Sequence, residues 1–347
     1  LGMYMWDLRD AMHWNADNLE IKPPRENLLD KLVEQHIERG ARVVLARARD
    51  SLGRALTQVE AAAALGRDGG IETLVVELGA NNALRSIVLM KVIWSEAPDY
   101  ANPKEKKRFT VWRPEHFRAE LIELAKQVHD IRADHVIWAT VPHVTIAPMA
   151  RPVGEAIDGY HPHYTRPWIS RGFDAERDPA ITGDEARAVD RAIDEYNRAI
   201  REVAGDRGHV VDLCAVLDGM KAGTYELPPE LAALDPRPTA AFFDSGPDGR
   251  TAGGLISLDG VHPTTIGYGI IALEILKVMQ KAGIIAEANV DFRRLLRLDT
   301  LISNPPKSTR STLELVGWLD ERLDWVNRTL GTSFGEKVLG KDATFGF

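Results

Sequence analysis

Three short apolar runs, at residues 71–78, 135–139 and 209–213, constrain the fold of this chain most. Each is apolar through its centre instead of alternating with polar residues, as strands buried on both faces do. Between and after them lie stretches with apolar residues three and four apart, the spacing of an amphipathic helix. Pro114 opens one that carries Phe117, Leu121, Leu124 and Val128 on a single face as far as His129. Residues 184–203 and 264–281 form two more. Strands alternating with helices in this order predict an α/β architecture, a parallel sheet covered on both sides. Ligands of such sheets bind beyond the C-terminal ends of the strands.

The remaining segments read less regularly. Residues 1–5 suggest a short buried strand, 6–18 a helix, and Pro23-Pro24 a break. Residues 26–39 have helical spacing, 42–45 suggest a short strand, and 52–65 a helix stopped by Gly66 and Gly69-Gly70. The charged run 104–108 fits a solvated loop, 149–182 an irregular insertion rich in aromatics and proline, and 219–254 a long loop. Residues 283–347 read as mostly helical, with Leu313, Val316, Leu319, Leu323 and Val326 in register. The expected division is a main domain over 1–282 and a helical C-terminal extension over 283–347 packed on it.

Composition excludes several classes. A net charge of −8 argues against nucleic acid as a partner. No apolar run is long enough for a membrane span. The single cysteine, Cys214, rules out an internal disulfide and any multi-cysteine metal site. It fits a reducing compartment, so a cytoplasmic location is expected. His161 and His163 lack neighbouring carboxylates or cysteines in the sequence, so no metal is expected there.

Two motifs stand where the sheet would hold a ligand. Gly79-Ala80-Asn81-Asn82 follows the first run, and Asp259-Gly260-Val261-His262 lies just before a helix opened by Pro263. A serine hydroxyl is a weak nucleophile until a base takes its proton, and histidine is the usual base near neutral pH. An aspartate three residues earlier can accept from the other ring nitrogen, fixing the tautomer and stabilising the imidazolium. Alone, the same spacing also fits a turn aspartate beside a surface histidine. Asn81 offers an amide to a developing oxyanion, and Gly79 lets the chain turn sharply; an asparagine in a plain turn looks the same. His143 follows the second run. The aromatic stretch from Tyr160 to Trp168 suits a substrate wall or a packed surface loop.

The order of these motifs, with the intervening strands, resembles the SGNH hydrolases, the GDSL-type esterase and lipase superfamily. That superfamily has a flavodoxin-like fold and four blocks carrying Ser, Gly, Asn and His. Residues 79–82 resemble the G-x-N-D block, with Asn82 where the family has Asp, and 259–262 resemble the D-x-x-H block. Residues 1–7 resemble the second block with Met5 at the oxyanion glycine, and Asp50-Ser51-Leu52-Gly53 is a rival placement. The resemblance covers 1–282.

The resemblance implies a flavodoxin-like three-layer sandwich and a serine ester hydrolase acting through an acyl-enzyme. His262 would be the base and then the acid, and Asp259 would orient it. Asn81, Gly79 and the backbone at Met5 would form the oxyanion hole, and His143, Tyr160 and Trp168 a substrate wall. The partner would be a small ester or thioester, with no cofactor. The G-D-S block that carries the nucleophile has no counterpart. Ser51 follows Arg49-Asp50 instead of Gly-Asp, and Ser257 fits a strand end or loop. The first strand of a flavodoxin-like sheet lies between the second and third. The expectation is therefore an N-terminally truncated chain whose nucleophile and central strand lie upstream of Leu1. A non-catalytic relative that keeps the pocket for binding and a carbohydrate O-deacetylase on the same scaffold are the alternatives. Oligomeric state is not legible.

Overall fold

The computed structural model describes residues 3, 6–19, 36–97, 109–169, 172–205 and 208–309. In chain order its elements are α1 (Leu8–His13), α2 (His36–Leu45), α3 (Gln58–Asp68), β1 (Ile71–Val76), α4 (Arg85–Val88), α5 (Pro114–His129), β2 (Ala133–Ala139), β3 (Arg151–Val153), β4 (His163–Thr165), β5 (Ala180–Thr182) and α6 (Gly183–Ala204). There follow β6 (His209–Val211), α7 (Leu213–Ala222), α8 (Pro229–Ala232), β7 (Asp244–Gly246), β8 (Gly249–Ala252), α9 (Thr265–Lys281), α10 (Phe292–Leu298) and α11 (Thr300–Ser303). All of the expected strand at 1–5 but Met3, most of the helix at 26–39, the run 104–108 and the periodic residues 313–326 lie outside the described residues.

The three apolar runs pair side by side as a parallel sheet in the order β1-β2-β6. Ile71 stands opposite Ala133 and Val76 opposite Trp138, while Ile137 stands opposite His209 and Ala139 opposite Val211. The period of two along β2 sends successive side chains to opposite faces. Trp138 joins a core built with Phe117, Leu121 and Leu124 of α5 and Ile193 and Tyr196 of α6. Ile137 and Ala139 pack with Val211, Leu213 and Ile271 of α9. Helices therefore cover both faces at β2 and β6; β1, expected to be buried throughout, has only Val76 buried, because it stands at the edge of the sheet.

Local chemistry fixes the helices. Pro114 sits in the first turn of α5, where its missing N–H has no partner to lose. Thr182 and Glu185 form a capping box that starts α6. Phe117 and Tyr196 stack with ring centroids 3.9 Å apart, locking α5 onto α6, and the Tyr196 hydroxyl donates to the Trp112 carbonyl.

Several readings need correction. Residues 42–45 are the last turn of α2, not a strand. Ala41 and Leu45, four apart, face inward, while Val43 is 77% exposed, so the valines supply β propensity without burial. The helix expected at 52–65 starts only at Gln58, because the Thr57–Glu60 capping box sets its first turn. The run 209–213 ends as a strand at Val211; Asp212 then caps α7, accepting from the Ala215 N–H at 3.3 Å. The insertion 149–182 contains an antiparallel sheet, β3-β4-β5, and the loop 219–254 contains α8 and the β7-β8 hairpin.

Past residue 282 the chain builds onto the same body. Phe292 of α10 is buried with Ile266 and Ile270 of α9 and with Leu255. Asp299, itself buried, accepts from the Leu301 N–H at 3.1 Å, capping α11, and from the Ile266 N–H at 3.0 Å in the first turn of α9. Thr309 donates to Asp244 at 2.9 Å and accepts from the Ser245 N–H at 2.9 Å, holding the hairpin. Among the described residues no helix is long and apolar enough to cross a membrane.

β1 ends the sheet, and its second edge pairs with no strand among the described residues. Val75 there is 39% exposed, and the buried Thr73 Oγ1 has no hydrogen-bond partner.

Removing the Asp299 carboxylate deletes a cap and leaves a buried N–H unpaired. Asp299→Ala is expected to lower the free energy of urea unfolding by about 2–4 kcal/mol. A loss under about 0.5 kcal/mol would show that the extension does not anchor α9.

Candidate active site

The loop 257–262 wraps around one carboxylate. Asp259 Oδ1 accepts from the Ser257 hydroxyl at 2.7 Å and from the Val261 and His262 N–H groups, both at 2.9 Å. Asp259 Oδ2 lies 2.6 Å from His262 Nδ1. Three donors thus fix the carboxylate while its second oxygen orients the ring, an arrangement that aims Nε2 as a base. The strand-side residue Ser257 closes the loop by donating its N–H to the His262 carbonyl at 2.7 Å. On the other side Thr264 caps α9, accepting from the Gly267 N–H at 3.3 Å. A Cβ on Gly267 would stand 2.3 Å from the Leu255 carbonyl oxygen, so only glycine lets α9 start so close to this loop.

Burial alone would raise the Asp259 pKa, but its hydrogen bonds with His262, Val261 and Ser257 outweigh that and hold the carboxyl well below the usual range. The bond to Asp259 raises the His262 pKa against the opposing effect of burial. The aspartate's contribution to stability is lost as pH falls through its depressed folded value. The histidine's is lost as pH rises through its raised folded value. The pair therefore stabilises the fold fully between about pH 4 and 6.5, the two unfolded values. A histidine that acts as a base must be neutral, and the raised pKa moves that state of His262 to higher pH.

Across from His262, the chain leaves β1 and reverses at Gly79, whose φ is +122°. A 3-10 turn over Ala80–Asn82 follows. Asn81 Nδ2 donates to the Trp6 carbonyl at 2.9 Å, and the amide's second N–H remains available to another acceptor. Asn82 is fully buried; its Oδ1 accepts from the Leu8 N–H at 3.4 Å and its carbonyl from the Trp112 N–H at 2.9 Å, while its Nδ2 is unpartnered. The segment entering α1 is thereby docked on the turn that carries Asn81. Met5 itself lies outside the described residues.

One cavity of about 300 Å³ brings these groups together. Its lining includes Gly79, Asn81, His143 and His262, with Trp6, Glu77 and Tyr268. The remainder is mostly aliphatic, including Leu78, Val141, Ile146, Leu217 and Ile256. It opens beyond the C-terminal ends of β1 and β2, where a parallel sheet places ligands. Larger, shallower depressions lie elsewhere, but none is lined by His262 or Asn81.

Other expected residues fall outside it. Neither Tyr160 nor Trp168 is in the lining. The Tyr160 hydroxyl donates to the buried Asp190 at 3.2 Å, and Trp168 lies under the Arg166 guanidinium at 5.6 Å. Ser51 sits exposed in a turn organised by Asp50 and does not line the cavity. No serine appears among the described lining residues. Thr140 is in the lining, and its hydroxyl donates to Asp212 and accepts from the Cys214 N–H, both at 2.9 Å.

His143 is engaged at both nitrogens. Nδ1 lies 2.9 Å from Asp218 Oδ2 and 3.6 Å from Cys214 Sγ, and Nε2 lies 3.2 Å from Asp194 Oδ1. Burial would lower its pKa, but the bond to Asp218, the Cys214 contact and the Asp190 charge raise it to about 11. Sequence reading missed Asp194, Asp218 and Tyr268. Cys214 and Asp218 meet because Leu213–Ala222 is a helix, which sets them one turn apart.

Comparison with protein-family models, with characterised proteins and with solved structures gives no match.

Two measurements check this geometry. In NMR titrations the His262 ring should titrate above about 6.5, with Asp259→Asn moving its midpoint down; equal midpoints would refute the pairing. Gly79→Ala places a Cβ 2.7 Å from Val141 Cγ2 at a φ hostile to side chains. It should cost about 1–3 kcal/mol in urea unfolding, and an unchanged stability would show that the turn relaxes freely.

Proposed function

We propose that this chain is a serine ester hydrolase of the SGNH type with a flavodoxin-like sheet, acting by acyl transfer. The observation that carries the reading is the oriented His262–Asp259 pair facing Asn81 across one apolar-walled cavity. His262 Nε2 takes the proton of a serine hydroxyl as the oxygen attacks the ester carbonyl. The resulting oxyanion receives the free Asn81 N–H and backbone donors. The protonated ring then gives its proton to the leaving alcohol, and water repeats the cycle on the acyl-enzyme. The aliphatic walls suit the acyl chain of the ester.

The nucleophile, in this reading, is carried by a strand that adds to the open edge of β1, beside the turn at Gly79. The exposed Val75 and the unpaired Thr73 hydroxyl support a further strand there. The lack of a serine in the described lining also favours a second reading, a binding protein that keeps the pocket without turnover.

The test is hydrolysis of p-nitrophenyl acetate and butyrate, with fluorophosphonate labelling, by this chain and by the full-length gene product. The expected outcome is labelling of one serine and turnover that His262→Ala lowers at least 10³-fold and Asn81→Ala about 10²–10³-fold. Neither turnover nor labelling in either form would favour the binding protein. Turnover unaffected by His262→Ala would remove this histidine from the mechanism.

A further inference from the structure

Beside the proposed acyl-transfer site, and independent of it, three side chains of different chemistry converge. Cys214 and Asp218 are four residues apart in α7, so both point to one side of the helix. His143 reaches them from the loop after β2. Their ligating atoms all lie within 4.8 Å of one another. The edges are 2.9 Å from His143 Nδ1 to Asp218 Oδ2, 3.6 Å from Nδ1 to Cys214 Sγ, and 3.9 Å from Sγ to Oδ2.

A tetrahedral zinc ion with sulfur near 2.3 Å and nitrogen and oxygen near 2.0–2.1 Å sets its ligand atoms about 3.3–3.6 Å apart. The observed triangle brackets those edges within a few tenths of an ångström. The 2.9 Å edge is also an ordinary hydrogen-bond distance; the two sulfur edges, 3.6 and 3.9 Å, are long for hydrogen bonds and near the separation that a shared ion sets.

The surroundings supply a second observation. A metal-bound histidine almost always gives its other ring N–H to a carboxylate or carbonyl. His143 Nε2 stands 3.2 Å from Asp194 Oδ1 in that relation. The framework is also held in place. The Thr140 hydroxyl, at the end of β2, accepts from the Cys214 N–H at 2.9 Å and donates to Asp212, which caps α7. The ligands thus hang from a strand end and a helix start that are tied together.

We infer that His143 Nδ1, Cys214 Sγ and Asp218 Oδ2 form a binding site for a divalent transition-metal ion, zinc by ligand chemistry. One thiolate, one imidazole and one carboxylate suit zinc better than magnesium or calcium, which take oxygen ligands. Binding displaces the thiol proton and the proton on Nδ1 to solvent, with no change of oxidation state. Three protein ligands leave the fourth tetrahedral position for water or a small ligand. His143 also lines the cavity that holds His262.

The test uses the purified chain, stripped with a chelator and titrated with zinc or cobalt(II). The expected result is one equivalent of zinc and, with cobalt, a thiolate-to-metal charge-transfer band in the near ultraviolet. Zinc should also protect Cys214 from iodoacetamide. Cys214→Ser should abolish the band, and Asp194→Asn should retain it while weakening zinc about 10–100-fold, with circular dichroism showing both variants folded. A missing band in the folded parent, or one that persists in Cys214→Ser, overturns the site. None of these readouts requires ester turnover, so failure here is distinct from failure of the hydrolase reading.

Discussion

Parallel strand pairing is the constraint on which the rest of the molecule depends. Two parallel neighbours cannot be joined by a tight turn, so every strand must be followed by a long return path. The path from β1 to β2 carries α4 and α5; the path from β2 to β6 carries the small antiparallel sheet and α6. Every strand therefore ends on the same side, and the loops that leave those ends must share one rim. The turn at Gly79, the His143 loop and the start of α7 gather there for that reason, with no long-range recognition between them. The loop at His262 joins them because α9, which follows it, packs on the face of the sheet formed by Ile137, Ala139 and Val211.

The two histidines on this rim differ in how they are held. His262 is oriented from within its own loop, by an aspartate three residues away whose other oxygen is tied to the backbone. The contacts between His262 and Asp259 all fall within six consecutive residues, and Thr264 and Gly267 let that loop meet the helix. His143 has partners 51, 71 and 75 residues distant, on α6 and α7. Its setting exists only after the sheet and both helices are assembled. Local orientation suits a group that must stay aimed through a reaction. The distributed setting of His143 makes it sensitive to how α6 and α7 pack.

The distinction also explains what the sequence disclosed. The Asp259–His262 pair was readable because its contacts lie within a few residues, and the helices at 114–129, 184–203 and 264–281 because an apolar stripe repeats along each. The sheet was readable from its apolar runs. Residues 42–45 misled because two valines carried strand propensity while only the flanking Ala41 and Leu45 are buried. The strand at 209 was read too long because Asp212 as a helix cap competes with its place between apolar residues. The cluster around His143 and the placement of Tyr160 against Asp190 depend on contacts between distant elements. No pattern in the linear sequence encodes those.

The cavity draws its walls from residues as far apart as Met3 and Ile271, among them Gln58 of α3, Leu213 and Leu217 of α7 and Tyr268 of α9. A compound that occupies it binds the assembled chain and has no counterpart site on the unfolded one. Mass action then couples occupancy to folding: at a hundred times its dissociation constant such a ligand adds about 2.7 kcal/mol to global stability, whether or not it is turned over. Thermal melting with a panel of small acyl compounds thus becomes a way to rank them by fit, since the protein's own cooperativity reports the chemistry its pocket prefers.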